Sequence, residues 1–382
     1  MAGPLQGHRI VELAGIGPGP FAGMMLADMG AEVLRVDRAQ AVVAGNPIPA
    51  VDVLGRGRRS VGVDLKSDAG RETVLRLVQG ADGLIEGFRP GVSERLGLGP
   101  EDCAKRNRHL VYGRMTGWGQ EGPLASTAGH DINYVALSGT LSMIGPPGQP
   151  PIPPVNLVGD FGGGGMLLAF GMVCGMLEAS RSGEGQVIDA AMIDGAALLA
   201  AMVWGFKSAG SWGERGTNFI DGGAWYYGVY ETGDGGYVSF GSLEPQFYAE
   251  MLRITGLDAD GRGPLPRPGD RESWPAMRER LGAIMKTKAR DEWCALLEGT
   301  DACFAPVLSM DEAPLHPHMA QRGTFIEVGG VVQPGPAPRL SRTPGAVSGP
   351  APSAGQDSEE ALGDWGFSAD EIAALLESGA VR

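Results

Sequence analysis

The residues best suited to acid–base chemistry are a histidine and two carboxylates that lie far apart in the chain. His130, next to Asp131, follows a glycine-rich loop and is the one histidine of five in such a setting. Asp160 follows 30 residues later in NLVGDFGGGG, and Glu244 lies in GSLEPQFY. Because an imidazole titrates near neutral pH, a histidine can both accept and donate a proton. A histidine and a carboxylate together could therefore move protons to and from one substrate atom.

Each carboxylate also has a structural explanation. Asp160 stands where a long helix is predicted to begin, and Glu244 stands between a predicted strand and a helix opened by proline, so either could be an ordinary N-cap. A functional role for Asp160 is compatible with capping, because a helix N-terminus favours the ionised carboxylate. His316 and His318 lack a carboxylate or cysteine at metal-ligand spacing, so we expect them to be structural and predict no metal site.

Strand-like and helix-like segments alternate over the first 115 residues, which is typical of a parallel sheet covered by helices. The predicted strands are Arg9–Ala14, Ala31–Arg38, Ser60–Lys66, Asp82–Gly91 and His109–Met115, and the predicted helices here are Phe21–Met29 and one capped by Ser67. Two further helices are predicted over Asp160–Arg181 and Asp189–Lys207. The four glycines Gly162–Gly165 in the first of these would let another backbone or a ligand come very close.

The sequence pattern changes at Asn218. From there the chain is rich in aromatic residues and is typical of antiparallel β structure, with a turn at Asp234–Gly236. The remaining predicted elements are helices at Gln246–Thr255, Trp274–Lys286, Arg290–Leu297 and Ser368–Leu376, with a proline-rich connector at Val332–Pro352. This pattern predicts a second domain of mixed α and β structure.

Cations follow three successive predicted strands. They are Arg38, Lys66 and Arg89, and Arg95 comes one turn later. Because ligands bind beyond the carboxyl ends of parallel strands, these side chains predict an anion pocket for a nucleotide or phosphate. The alternative is that they are strand-end residues facing solvent. GIGPGP does not complete the dinucleotide fingerprint, since Pro20 stands where glycine is needed, so a nicotinamide enzyme is a minor alternative.

The composition argues against several classes of protein. A net charge of −14 disfavours a nucleic-acid surface. Four widely spaced cysteines without a CxxC motif predict a reducing, cytoplasmic location and no structural zinc. The sequence opens without a signal-peptide pattern. The apolar runs Met166–Leu177 and Ala196–Trp204 are too short to cross a bilayer, so we expect no membrane partner.

Several of these segments, taken in order along the chain, resemble the α-methylacyl-CoA racemases of the family III CoA-transferase superfamily. The matching segments include VELAGIGPGPFAGMMLADMGAEVLRVDR, VDLKSDAG, LIEGFRPGVSERLGLGP, MTGWGQEGP, AGHDINY, NLVGDFGGG and GSLEPQFY. AGHDINY and LEPQFY favour the racemase branch over the transferases. Departures from the family pattern are confined to the loop Ala39–Leu54 and the C-terminal tail.

The resemblance implies an α/β fold with a Rossmann-like parallel-sheet large domain and a smaller α+β domain, in an interlocked homodimer. The large domain would comprise residues 1–190 and the return segment 311–382. A helical linker would cover 191–224, and the small domain 225–310. Each large domain would face the small domain of the partner, so that the active site lies at the subunit interface.

The resemblance also implies the role of each site residue. His130 and Asp160 would be the acid/base pair, with Glu244 hydrogen-bonded to the histidine. Residues implied to bind the CoA thioester are Arg38, Val63, Asp64, Leu65, Lys66, Gly87, Phe88, Arg89, Pro90, Gly91, Val92, Arg95, Gly129, Asp131, Ile132, Asn133 and Tyr134. Coenzyme A is then part of the substrate, and no separate cofactor is expected.

Three functions are consistent with these residues and with the resemblance. The leading one is a racemase that inverts a 2-methylacyl-CoA through an enolate, and we hypothesise that the free amides at Asp160–Phe161 stabilise the enolate oxygen while Gly162–Gly165 let the thioester approach. The second is a CoA-transferase in which Asp160 attacks the thioester. The third is a CoA- or nucleotide-binding module without catalysis.

Overall fold

The computed structural model describes residues 3–43 and 51–382, which form two compact units. The first unit is Met1–Ser138, Val155–Ala200 and Arg322–Arg382, and the second is Gly139–Pro154 and Ala201–Gln321. These bounds differ from the predicted domains. Residues 139–154 belong to the second unit rather than to the large domain, and residues 201–224, predicted as a linker, are part of the second unit as well.

The first unit is built on one parallel sheet. Its strands are β1 (Arg9–Leu13), β2 (Glu32–Arg38), β3 (Arg59–Val63), β4 (Gly83–Glu86), β5 (Val111–Thr116) and β6 (Val187–Ala191). Its helices up to residue 200 are α1 (Pro18–Asp28), α2 (Ala39–Val43), α3 (Asp68–Gln79), α4 (Val92–Arg95), α5 (Pro100–Arg106), α6 (Asp131–Leu137), α7 (Met166–Ser182) and α8 (Met192–Leu199). Within the described residues the strand order is β3-β2-β1-β4-β5-β6, which is the order of doubly wound nucleotide-binding sheets. The predicted α/β fold with a parallel sheet is confirmed.

The second unit combines a small antiparallel sheet with helices. Its elements are α9 (Ala201–Ser208), β7 (Tyr227–Glu231), β8 (Tyr237–Gly241), α10 (Pro245–Thr255), α11 (Trp274–Met285), α12 (Arg290–Leu297), β9 (Phe304–Val307) and α13 (Pro317–Arg322). The strands pair antiparallel in the order β7-β8-β9. Their core is aromatic, with Trp225 and Trp293 almost completely buried.

The last segment returns to the first unit. It contains β10 (Phe325–Val328), β11 (Val331–Pro334), α14 (Ser358–Asp364) and α15 (Ala369–Ser378). Leu362 and Val381 join the hydrophobic core that covers one face of the parallel sheet together with α3. Leu168 and Met172 of α7 belong to the core on the opposite face. The sheet is therefore sandwiched between two apolar layers, as a parallel sheet requires.

Three sequence predictions are corrected here. The predicted helix Asp189–Lys207 is the strand β6 followed by the two short helices α8 and α9. Part of the loop Ala39–Leu54 is the helix α2, while residues 44–50 of that loop lie outside the described residues. The predicted helix at Asp160 begins earlier, because a π-helical segment, Leu157–Gly165, precedes α7 without a break.

This continuous helical run is also longer than the apolar segment Met166–Leu177, which by itself is too short to cross a bilayer. By length and composition alone, Leu157–Ser182 could span a bilayer, because its 26 residues exceed the shorter apolar run seen in the sequence. In the structure, however, Leu168, Met172 and Met176 of this run are buried in the core beneath the sheet. A core helix of a water-soluble fold has the same composition, so the absence of a membrane partner stays a prediction.

Candidate active site

A cavity of about 480 Å³ opens at the carboxyl edge of the parallel sheet, where the sequence predicts a ligand site. Its volume lies within the range of small-molecule sites. Its wall is formed by Ile16, Gly17, Pro18, Gly87, Phe88, Arg89, Pro90, Met115, Thr116, Gly117, Trp118, Ala125, Thr127, Ala128, Gly129, His130, Tyr134, Asp160 and Met192. His130 and Asp160, which are 30 residues apart in sequence, thus line one cavity.

His130 is the residue immediately before α6, and its side chain is exposed at the cavity wall. Asn133 fixes its backbone in two ways. The His130 amide donates to Asn133 Oδ1 at 3.0 Å, and the His130 carbonyl accepts from the Asn133 amide at 2.8 Å. The spacing of three residues is that of a capping box. The start of α6 therefore holds the backbone of His130 while the imidazole remains at the cavity.

Asp160 lies in the π-helical segment and is half-buried. Its amide donates to Asp131 Oδ1 at 2.7 Å, and its Oδ2 accepts from Asn156 Nδ2 at 3.2 Å. Burial raises the pKa of the Asp160 carboxyl, and the hydrogen bond from Asn156 offsets part of that rise. The carboxyl group therefore titrates closer to neutral pH than an exposed aspartate does.

These contacts correct two hypotheses about Asp160. It is not a helix N-cap, because the helical run starts at Leu157. The amides proposed to stabilise an enolate are already used, since the Phe161 amide donates to the Asn156 carbonyl at 3.4 Å and the Asp160 amide donates to Asp131. A donor to a substrate oxygen would have to come from elsewhere on the cavity wall.

The four glycines that follow Asp160 bring backbones together rather than admitting a ligand. A Cβ added to Gly163 would lie 2.6 Å from the Ala196 amide nitrogen of α8, and one added to Gly165 would lie 2.7 Å from the Pro18 carbonyl oxygen of α1. Both contacts are with main-chain atoms that cannot rotate away. The glycines therefore allow α1 and α8 to pack against the segment that carries Asp160.

The loop after β4 forms another part of the wall and is fixed by buried charges. Glu86 accepts from the Phe88 amide at 2.6 Å and from Arg114 Nε at 3.0 Å. The same guanidinium donates from Nη1 to Glu94 of α4 at 2.8 Å. Gly87, Phe88, Arg89 and Pro90 line the cavity, whereas the predicted ligand residues Gly91, Val92 and Arg95 are not wall residues.

The end of β3 carries four predicted ligand residues that do not line the cavity. Lys66 is exposed, as is Arg38 at the end of β2, and neither lines the cavity. Val63 is completely buried and pairs with Val381, and it does not line the cavity, so its contact with substrate stays a prediction. Asp64 donates its amide to the Ala380 carbonyl at 2.9 Å, and Leu65 packs against the core. Of the four residues predicted here, only the charged side chain of Lys66 is fully presented to solvent.

The segment that includes His130 contributes differently from expectation. Gly129 and Tyr134 line the cavity, as predicted. Asp131 is buried, is not a wall residue and accepts from the Asp160 amide, so it supports Asp160, while its contact with substrate stays a prediction. Ile132 is exposed away from the wall, and Asn133 serves the His130 backbone. Neither lines the cavity, and their contacts with substrate stay predictions.

Several wall residues were not predicted from the sequence. Trp118 packs edge-on against Tyr134 with ring centroids 4.7 Å apart. Ile16 and Gly17 come from the loop between β1 and α1, and Pro18 is the first residue of α1. Both positions fall inside segments that carry the family resemblance, VELAGIGPGP and MTGWGQEGP. That resemblance, rather than any charge or periodicity, was the available indication.

The remaining candidate residues lie in the second unit. Glu244 is exposed at the position before α10, but its side chain makes no capping hydrogen bond. Its bond to His130 stays a prediction. His316 Nε2 lies 3.1 Å from Glu298 Oε1, a local pair on the surface. In the part of the chain that the structure describes, no three His, Cys, Asp or Glu side chains are grouped to hold a metal ion.

Comparison with known proteins identifies the family. Residues 5–358 match the model of CoA-transferase family III. The chain belongs to that family. It is 45% identical to the α-methylacyl-CoA racemase of Mus musculus over 97% of this chain and 96% of the mouse protein. It is 44% identical to the human α-methylacyl-CoA racemase over 99% of both chains.

A solved structure supports the same fold. A CaiB/BaiF family protein from Brucella suis matches with a TM-score of 0.83 and 25% identity, over 96% of this chain and all of that one. The family member from Brucella suis therefore shares the α/β architecture on which the cavity is built. The sequence resemblance to the racemase branch is confirmed by the two relatives at 44–45% identity.

Proposed function

We propose that the protein is an α-methylacyl-CoA racemase, an isomerase that interconverts (2R)- and (2S)-2-methylacyl-CoA thioesters. One observation carries the proposal. An imidazole and a carboxyl group line the same cavity in a chain that is 44–45% identical to two such racemases. Among the described residues of the wall, this pair alone combines an imidazole and a carboxyl group.

The reaction exchanges one proton at C2. One group removes the C2 proton, and the electron pair left on carbon moves into the thioester to give an enolate. The other group then delivers a proton to the opposite face, and the carbonyl re-forms. His130 and Asp160 are the proposed pair, one for each face. Positioned acid–base catalysis of this kind contributes about 10²–10⁴-fold each.

The environment of Asp160 suits a group that must act in both protonation states. In one direction the carboxylate accepts the C2 proton, and in the other the carboxylic acid donates it. Burial raises the pKa of Asp160 above that of an exposed aspartate, which makes its protonated form easier to populate. An exposed aspartate would be ionised almost completely at neutral pH and would be a poor donor.

The cations at the sheet edge suit the length and charge of coenzyme A. Arg89 lines the cavity after β4, while β2 and β3, which end near Arg38 and Lys66, are two and three strands away. Neighbouring strands are about 4.8 Å apart, so these positions extend roughly 10–14 Å from β4. An elongated anion could bind along this edge with its thioester in the cavity. The chain's net charge of −14 makes such local cations necessary.

Deuterium exchange tests the function. A single epimer of a 2-methylacyl-CoA is incubated with the protein in D₂O, without an acceptor acid, and followed by NMR and chiral analysis. We expect deuterium at C2 together with inversion. A chain that only binds CoA gives neither. Loss of both in His130→Ala and Asp160→Asn, with Glu178→Gln on the surface of α7 as control, would assign the exchange to this cavity.

The alternative is a family III CoA-transferase in which Asp160 is the nucleophile. Its carboxylate would attack the thioester carbonyl, form a mixed anhydride and release the CoA thiolate. Such an enzyme needs a free carboxylic acid as acceptor, and hydroxylamine would trap the anhydride as a hydroxamate on Asp160. The identity to the racemases favours the first function. Trapping without C2 exchange would favour the second.

We further propose the interlocked homodimer, in which each first unit faces the partner's second unit, the one that carries Glu244. A row of exposed apolar side chains on α7, Met166, Phe170, Val173 and Leu177, supports an interface there. Their spacing of three and four residues puts them on one face of the helix. Large exposed apolar patches usually mark protein interfaces.

Sedimentation velocity tests the dimer. Phe170→Glu places a charge in the centre of the row and should shift the protein towards the monomer, with loss of exchange activity. Glu178→Gln on the same helix, outside the row, should remain a dimer. A wild-type protein that sediments as a monomer at all concentrations would contradict the proposal. A cytoplasmic location, and activity without a separate metal or redox cofactor, stay predictions.

A further inference from the structure

We propose that Asn156 is a positioning residue for Asp160: its amide group directs the carboxylate at the cavity and favours the ionised form. This inference deepens the proposed function, on which its catalytic consequence rests. Asn156 does not line the cavity and would not touch substrate. It would act only through Asp160.

The contact itself is direct. Asn156 Nδ2 donates to Asp160 Oδ2 at 3.2 Å. An amide nitrogen can only donate, so the contact is favourable when Asp160 is ionised and weaker when the oxygen carries a proton. Because Asn156 is half-buried, water competes for this bond less than it would on the surface.

The backbone around Asn156 is held in an unusual conformation. Val155, the preceding residue, has φ 58°, in the left-handed region that a β-branched side chain rarely adopts. The Asn156 carbonyl then accepts from the Phe161 amide at 3.4 Å, which belongs to the wide turns of the π-helical segment. Strained φ values and π-turns cluster at functional sites. Here they bring the Asn156 side chain onto the carboxylate four residues later.

The charged groups around Asp160 explain why the hydrogen bond from the neutral Asn156 amide affects its ionisation. From α6 and its start come His130, Asp131 and Tyr134, and Asp131 lies close enough to hold the Asp160 amide. The α1 side presents Gly17, whose Cβ position would be 3.5 Å from Asp160 Oδ2. The Asp131 carboxylate opposes ionisation of Asp160, whereas Asn156 favours it. Removing Asn156 leaves the opposing charge in place.

The test measures the titration of Asp160 directly. Carboxyl ¹³C resonances of aspartate-labelled wild type are followed against pH, and Asp160→Asn assigns the resonance. In Asn156→Ala the midpoint should rise by about one unit, the usual effect of losing a hydrogen bond to a charged group. In Asn156→Asp, which has nearly the same shape, it should rise further because a negative charge replaces the donor.

Kinetics give the second readout. For the epimer whose C2 proton Asp160 removes, the acid limb of kcat/KM should move to higher pH by the same amount, and kcat should fall by a larger factor than KM changes. Asn107→Ala is the matched control, since Asn107 Nδ2 bonds the carbonyls of Val78 and Ala81 away from the cavity. In that variant the free energy of unfolding should fall, while the Asp160 titration midpoint and the acid limb of kcat/KM stay where they are in the wild type.

The outcomes separate the two proposals. A midpoint unchanged in both Asn156 variants, with the fold intact by circular dichroism, overturns the role of Asn156. A shifted midpoint in a protein that never exchanges the C2 proton keeps the role of Asn156 and overturns the racemase function. A milder effect of Asn156→Asp than of Asn156→Ala would also count against it, because shape alone would then explain the result.

Discussion

The two proposed proton carriers are held by different means. His130 sits at the exposed start of α6, and only its backbone is fixed, by Asn133 three residues later. Asp160 is half-buried, and both its amide and its carboxylate are bonded, to Asp131 and Asn156. The histidine is therefore placed by a local motif, whereas the carboxylate is placed by tertiary contacts. Asp131 connects the two, because it neighbours His130 in sequence but bonds Asp160.

The largest expected effect comes from removing either carrier. His130→Ala and Asp160→Asn should each lower C2 exchange by about 10²–10⁴-fold. The comparison predicts a difference in rescue. Added imidazole should restore part of the activity of His130→Ala, because that side chain is exposed, while added formate should not rescue the half-buried Asp160→Asn. Equal rescue of both variants would show that the two environments do not differ in this way.

One glycine near Asp160 and one near His130 allow the packing of the two segments to be compared through the free energy of unfolding. In Gly163→Ala the new Cβ meets the backbone of α8, so we expect the free energy of unfolding to fall by about 3 kcal/mol. In Gly129→Ala, near His130, the Cβ would meet the rings of Tyr134 and Trp118, which can shift. A loss of about 1 kcal/mol is expected there.

Urea denaturation measures both. Gly19→Ala in α1 is the control, because a Cβ there meets nothing within 4 Å, and alanine should be neutral or slightly stabilising. If Gly129→Ala proves as destabilising as Gly163→Ala, the His130 segment is packed as tightly as the Asp160 segment, and the contrast fails.

Smaller effects should follow from the residues that support each carrier. Asp131→Ala removes the acceptor for the Asp160 amide, and a lost hydrogen bond of about 1.4 kcal/mol lowers the rate about tenfold. Asn133→Ala removes a bond to the exposed His130 backbone, where water can replace it, so a loss of about threefold or less is expected. The steady-state rate of C2 exchange checks both. A greater loss in Asn133→Ala would reverse the proposed order.

The smallest effect concerns stability and pH. Because burial raises the pKa of Asp160, the folded protein holds a proton there that the unfolded chain has already released. This contribution makes the fold less stable as pH rises from the ordinary aspartate pKa through the raised value. Asp160→Asn should lack it. Urea unfolding at pH 4 to 7 should therefore show a smaller loss for Asp160→Asn than for wild type, and an identical pH slope would contradict the burial of this carboxyl.

The sequence predicts the local elements better than the contacts between them. Five strands and the helix capped by Ser67 were anticipated, because apolar alternation and caps are local features. The strand β6 was missed because Val187–Ala191 runs directly into a helix and shares its small apolar residues. A helix and a buried strand give similar signals over so few residues.

The candidate site shows the same limit. His130 and Asp160 could be chosen by residue type, and they do line one cavity. Other features of the site depend on contacts between distant segments. They are the backbone amides left free at the cavity, the pairing of Val63 with Val381, and the hydrogen bond from the Asp160 amide to Asp131. A π-helical start leaves no mark in the spacing of apolar residues, so the N-cap expected at Asp160 could not be distinguished from it.

The pairing of Val63 with Val381 has a consequence for how the protein is made. During synthesis, the ribosome exports β3 more than three hundred residues before the segment that covers it. The second unit, Gly139–Pro154 and Ala201–Gln321, emerges in between and can acquire its core first. The edge of β3 stays open meanwhile and is a site where a nascent chain could aggregate. We therefore expect chaperones to bind the nascent chain most strongly before the segment around Val381 has been synthesised and has paired with β3.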